Sequence, residues 1–278
     1  FSDEEIKGIV KKHYGIQYAE CLSRIARIAE GNARIAMLAG KIALDNESIE
    51  SLRDLTHLFD IYYGEALKRE DVLDKETLQC AAIAALLSPF RLQQEAVLSS
   101  LLATAGIEYS AFVEKLYTLH EKEIVQIHYD TVVRFSEQCL SNYLLKHVFV
   151  DKHYIRISDM IMCCFDTHYQ QKMISTLNAI SHVFKSTAVL DCVRKEVCLC
   201  WEKIKIANPS IFRNYVKAFH RLNPTESLIY LQTLIDEVEI NTDLPTIDQL
   251  KSEKNNRYIN DDVLEVLCSL AYTDQVDT

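Results

Sequence analysis

Six glycines and four prolines in 278 residues leave this chain few places to turn. A β-sandwich or an α/β barrel needs turn-formers at most strand ends. The scarcity therefore favours helices joined by short polar loops. It also works against a glycine-rich, phosphate-cradling fold. The length fits one large domain or two to three small ones. Apolar residues make up 49% and charged residues 25%, which supplies ordinary cores and is not a disordered composition.

Charge narrows the function. Thirty Lys and Arg against forty Asp and Glu give a net charge of −10. A nucleic-acid-coating protein or a polybasic membrane binder needs a cationic surface, so both are disfavoured. The longest purely apolar run, Cys80 to Leu87, falls far short of the roughly 20 residues needed to cross a bilayer. No membrane partner is expected, and no secretory signal pattern is visible. Because the first residue is Phe1 rather than Met, the chain is expected to begin inside a longer protein. The nine cysteines are an odd number, and Cys80, Cys139 and Cys268 sit in apolar helical patterns. They read as buried free thiols in a reducing cytoplasm.

Periodicity divides the chain into three parts. Residues 1–70 read as a helical lid. Ser2 and Glu5 form a capping-box pattern, with Asp3, Glu4 and Glu5 in the first turn. A second helix carries Leu22, Ile25 and Ile28, and a third runs from Asn32 to about Leu44 with Ile35, Leu38 and Ile42 inward. Ser48 to Arg69 continues as helix. Residues 71–152 change character. Helices are predicted over Lys75–Leu87, Leu92–Leu102 and Tyr109–His120. Then Val125, Ile127 and Tyr129 alternate with polar residues, and Val132 to Phe135 alternates again. This is a β-hairpin, and three helices followed by a hairpin is the winged-helix order. Ser136 to Phe149 resumes as helix. Residues 153–278 are helical near 155–169, 170–187, 189–206, 208–222, 224–238 and 259–272, as a repeat-like array of stacked hairpins. Asn208-Pro209 and Asn223-Pro224 are helix starts. Residues 241–260 are polar and read as a loop.

Several catalytic patterns fail on their own terms. Gly40-Lys41 resembles the end of a phosphate-binding loop, but Ile35 and Ile42 stand where Gly and Ser or Thr are required. Leu234 to Glu237 resembles a Walker-B end without its apolar strand. His120-Glu121 lacks a second metal ligand at Ile124. Cys192, Cys198 and Cys200, with Cys163 and Cys164, do not have zinc-knuckle spacing and read as buried helix thiols. No catalytic residues and no metal site emerge, so the chain alone reads as non-enzymatic.

One motif carries chemistry: Gly31-Asn32-Ala33-Arg34 at the start of the third helix. It sets a fixed cation beside a helix N-terminus, and both attract an anion. Arg34 could donate a bidentate pair to a phosphate, with Gly31 and Asn32 forming the turn that presents it. The plain alternative is an inter-helix turn with a surface arginine.

Residues Ile25 to Gly40 resemble the sensor-2 region of AAA-type ATPases. They are similar above all to the Gly-Asn-Pro-Arg motif of the bacterial STAND or NACHT-like signalling ATPases. Val133-Arg134-Phe135-Ser136-Glu137-Gln138, followed by Tyr143-Leu144-Leu145, is similar to the end of the winged helix in that class. Leu222-Asn223-Pro224-Thr225 resembles a segment of its helical repeats. Ala33 stands where the class usually has Pro, so the contact to the nucleotide base that this Pro makes is not carried over.

The resemblance implies a mainly α fragment of lid, winged helix and helical array, lacking the P-loop core. It implies a regulatory and sensor role in a STAND-type ATPase of bacterial defence or stress signalling. ATP or ADP with Mg would bind in the full-length protein, and no cofactor is expected in this chain. Partners would be the upstream ATPase core, a protein or peptide ligand on the array, and further copies in a homo-oligomer. Arg34 would sense phosphate, and Arg134 to Gln138 would belong to the surface and core of the winged helix. A helical scaffold or adaptor, and a winged-helix DNA-binding regulator, remain as alternatives. DNA is disfavoured because residues 75–150 hold six Lys and Arg against eight Asp and Glu.

Overall fold

The structure, a computed structural model, describes residues 1–46, 55–64, 67–68, 74–93, 95–184, 186–236 and 262–271. It is mainly α-helical with one small antiparallel sheet. The chain divides into two compact units, Phe1–Leu190 and Asp191–Thr278.

The first unit opens with three mutually packed helices: α1 (Asp3–Tyr14), α2 (Ala19–Ala29) and α3 (Ala33–Asn46). The expected capping box is formed. The Ser2 backbone N–H donates to Glu5 Oε2 at 2.8 Å, and the Glu5 N–H donates to Ser2 Oγ at 3.4 Å. Ile6, Val10, Ile25, Ile35 and Ile42 are buried between the helices, whereas Leu38 is only half-buried. Gly40 lets α3 approach α1, since a Cβ there would lie 2.6 Å from the Tyr14 ring. It is a helical glycine, in keeping with rejection of the P-loop pattern. Helix α4 (Leu55–Phe59) runs into a π-helical turn, Asp60–Gly64. The rest of the helix expected over Ser48 to Arg69 lies mostly outside the described residues.

Helix α5 (Lys75–Leu87) is buried from Thr77 to Leu87 on every face. Helices apolar all round belong at the centre of a fold. Its one amide in this stretch, Gln79, is satisfied by donating to the carbonyls of Tyr154 (2.9 Å) and Ala105 (3.4 Å). Strand β1 (Phe90–Arg91), helices α6 (Ala96–Ala105) and α7 (Tyr109–Glu121), and strands β2 (Val125–His128) and β3 (Val132–Phe135) follow. The sheet order β1-β3-β2, with Phe90 opposite Val133 and Ile127 also opposite Val133, is that of a winged helix.

Two details correct the sequence reading. Residues 90–91 form a third strand, and α6 starts at Ala96 rather than Leu92. The run Phe90–Arg91 is too short to show period 2, and only its pairing with β3 makes it a strand. The hairpin turns at Tyr129 and Asp130, both at positive φ (52° and 51°). No Asn-Gly marked that turn in the sequence.

Helix α8 (Gln138–Lys146) passes into a second π-helical turn, His147–Asp151. Helices α9 (Ile157–Cys164) and α10 (Gln170–Phe184) follow, and α10 packs on α5 and α8. Helix α11 (Thr187–Ala207) begins in the first unit and continues into the second.

In the second unit α11 pairs with α12 (Pro209–Phe219). Trp201 meets Phe212 edge-on at 5.0 Å, and the Tyr215 hydroxyl donates to the Val197 carbonyl at 2.8 Å. Residue 201 beside 212 and 197 beside 215 is the pairing of an antiparallel helical hairpin. Asn208 caps α12 by accepting from the Ile211 N–H, with Pro209 in the first turn as expected. Helices α13 (Pro224–Asp236) and α14 (Asp262–Ala271) share a small core of Leu231, Val266 and Leu270. The polar loop expected at 241–260 lies outside the described residues.

Candidate functional site

The turn between α2 and α3 is built as its sequence requires. Glu30 ends α2 in the left-handed region (φ 45°), and Gly31 follows at φ 78°. A Cβ on Gly31 would also stand 2.6 Å from the Phe1 carbonyl oxygen, so the close approach that this glycine permits is to the chain's own backbone. Asn32 Oδ1 accepts from the Arg34 N–H at 3.0 Å and the Ile35 N–H at 3.3 Å. This is N-capping, which fixes the first turn of α3. Arg34 then projects from that turn and is exposed.

Arg34 lies on two clefts. The smaller is lined also by Tyr14, Lys41, Tyr62, Tyr63 and Glu137. There the Tyr63 hydroxyl donates to Glu137 Oε1 at 2.9 Å. The larger, of about 470 Å³, is walled by residues of α3, α5, β3, α8 and α10. Its cations are Arg34, Arg134 and Lys172, and no Asp or Glu among the described residues lines it.

Each wall has a local cause. Val133 and Phe135 point into the core, so strand alternation turns Arg134 outward. The Phe135 N–H donates to Ser88 Oγ at 2.8 Å, which ties β3 to the end of α5. Glu137 precedes α8, and its side chain does not cap the helix. Gln138 and Ser141 face the cleft from there. Ser136 Oγ is buried and has no hydrogen-bond partner among the described residues. Lys172, half-buried in the first turn of α10, is lowered from the usual lysine range by burial. A lysine at this end of a helix also opposes the helix dipole. No carboxylate among the described residues forms an ion pair with any of the three cations.

The motif reading thus brings Gly31, Asn32 and Arg34 together in one turn. It did not assign Arg134, Ser136 or Lys172 to a site. Two signals were available: the outward register of Arg134, and a lysine in a first helical turn. The cysteine reading needs correction. Cys80, Cys139, Cys164 and Cys200 are buried, but Cys198 and Cys268 are exposed, while Cys163 and Cys192 are intermediate. Cys198 lies on the outer side of α11, and Cys268 lies on the face of α14 away from Val266 and Leu270. No group of His, Cys, Asp or Glu among the described residues could hold a metal ion. No single helix among them is long and apolar enough to cross a membrane.

Compared with protein-family models, with curated proteins and with solved structures, the chain matches none.

Proposed function

We propose that this chain is the regulatory and sensor part of a STAND-type signalling ATPase, non-catalytic by itself and dependent on an ATPase core elsewhere in its polypeptide. In this reading the lid and winged helix report nucleotide state, and the helical array receives a protein or peptide ligand. ATP in place of ADP, together with that ligand, favours an open form that assembles with further copies. The observation that carries the reading is the placement of Arg34. It stands at a capped helix start, exposed, on a cleft where the described residues bring cations and no carboxylate. The order of lid, winged helix and helical hairpins adds support.

The DNA-binding alternative is poorly served. Helix α7, which would enter the major groove, carries Lys115 as its one Lys or Arg, and Lys115 lies 3.7 Å from the Asp74 carboxylate. Phosphate neutralisation needs several unpaired cations.

The test is nucleotide discrimination by the full-length protein. Arg34→Ala narrows the difference between ATP and ADP affinity, while the isolated 278-residue chain does not hydrolyse ATP. Unchanged relative affinities would remove Arg34 from the nucleotide site and leave a helical scaffold.

A further inference from the structure

We infer that the cleft bounded by Arg34, Arg134 and Lys172 is an anion site contained within this chain, and that it takes a ligand carrying two or more linked phosphoryl groups. The proposal deepens the reading above, because it shares Arg34. It differs in needing no other module.

Three elements distant in sequence each bring one cation to the same cleft: α3, β3 and α10. Like charges gathered without counter-charge destabilise a fold unless something compensates them. Exposed arginines tolerate this at little cost, but Lys172 does not. It is half-buried, it sits at the positive end of α10, and no carboxylate among the described residues relieves it. Replacing such a lysine with an apolar residue would help the fold, and an anionic ligand would supply the counter-charge that the described residues do not.

The remaining walls fit a phosphoryl group. Ser136 is also a wall of the cleft; its Oγ is closed off from solvent and has no hydrogen-bond partner among the described residues. Gln138 and Ser141 of helix α8 line the cleft as well. These walls are polar, and no Asp or Glu among the described residues lines the cleft. A single phosphate monoester carries roughly −1.5 to −2 near neutral pH. Three cations therefore match two linked phosphoryl groups better than one. A cleft of about 470 Å³ has room for such a ligand.

This arrangement also has a mechanical consequence. An anion held by all three cations joins the lid, the wing and the helix that leads toward the second unit.

The test uses the 278-residue chain and pyrophosphate at low salt, read by titration calorimetry and thermal unfolding. Pyrophosphate binds saturably, more tightly than inorganic phosphate, and raises the unfolding midpoint. Lys172→Met and Arg134→Met each weaken binding by about tenfold or more, while Lys172→Arg retains it. Lys172→Met also unfolds at a higher temperature than the parent in the absence of ligand, which shows that lost binding is not lost folding. The absence of saturable binding would overturn the proposal, and so would parent-like affinity in both methionine variants. ADP run in parallel separates two sources of the same chemistry. Equal affinity for ADP and pyrophosphate marks the phosphoryl chain as the recognised part, tighter ADP binding marks a nucleotide, and both support the site. The outcome is separable from the nucleotide reading, which stands or falls on ATP and ADP discrimination by full-length Arg34→Ala.

Discussion

The Tyr63 hydroxyl donates to Glu137 Oε1 across 2.9 Å, so the π-helical turn after α4 holds the carboxylate that stands immediately before α8. Burial, and then the charge of Glu137, push the Tyr63 phenol above its ordinary range, which keeps it a donor. The bond places the carboxylate on the smaller cleft and not on the larger one. One hydroxyl thus helps to keep the cationic cleft free of an internal counter-charge.

Tyr63→Phe removes that donor and leaves Glu137 half-buried without it. A hydrogen bond to a charged group is worth about 1.5–3 kcal/mol, and the partial exposure of Glu137 puts the expected loss near 1–2 kcal/mol. Urea unfolding followed by circular dichroism measures it. In the Glu137→Gln background the same substitution should cost less, and an equal cost would mean that the two side chains are not coupled.

Lys146, buried in α8, places Nζ 2.8 Å from Asp151 Oδ2. Burial raises the Asp151 carboxyl, but hydrogen bonds from His147 and Lys146 outweigh it and hold the group below its ordinary value. A carboxylate with a lowered pKa in the folded state stabilises above its unfolded pKa, and that stabilisation is lost as pH falls through the folded value. Stability of the parent should decline on acidification below the ordinary carboxylate range, and the Asp151→Asn curve should be flatter there. At neutral pH Asp151→Asn should cost about 2 kcal/mol, less than the ~3–5 typical of a fully buried pair. Identical pH profiles for parent and variant would contradict this.

The α2–α3 turn depends on two residue types that few others replace. Asn32→Ala deletes the acceptor for the Arg34 and Ile35 N–H groups, at about 1 kcal/mol. Gly31→Ala forces an L residue to φ 78° with its Cβ 2.6 Å from the Phe1 carbonyl, at roughly 1–2 kcal/mol or more. Thermal unfolding ranks them. Asn32→Asp, which keeps the cap, should stay within a few tenths of a kcal/mol of the parent.

Gly40→Ala fills space that Tyr14 and Val10 already occupy, with ring carbons at 2.6 and 2.8 Å. Overpacking of this kind costs about 1–3 kcal/mol. Tyr14→Ala in the same chain should recover part of the loss. A neutral Gly40→Ala would show that α1 and α3 separate without penalty.

Much of the fold was legible because its signals are local. The capping box at Ser2 and Glu5, the Asn208-Pro209 start and the stop of α5 before Ser88 and Pro89 each follow from chemistry within four residues. The Gly31 to Arg34 turn belongs with them. Strand β1 was not legible, since two residues carry no period and their pairing partner is more than forty positions away. The exposure of Cys198 and Cys268 was hidden for a similar reason. Apolar neighbours place a thiol in a helix but do not say how wide the buried stripe of that helix is.

Taken alone, the sequence determined that this is a helical protein interrupted by one hairpin, and that Arg34 sits at a helix start with a glycine and an asparagine beneath it. These are consequences of backbone propensity and spacing, which act over a turn or two. That Arg134 and Lys172 share a cleft with Arg34 was decided by tertiary structure. Residues 134 and 172 meet because β3 and α10 both pack on the buried helix α5, and residue 34 joins them from the neighbouring helical lid. Burial of apolar surface is non-directional and long-range in sequence, and no local pattern records which polar side chains it will bring together.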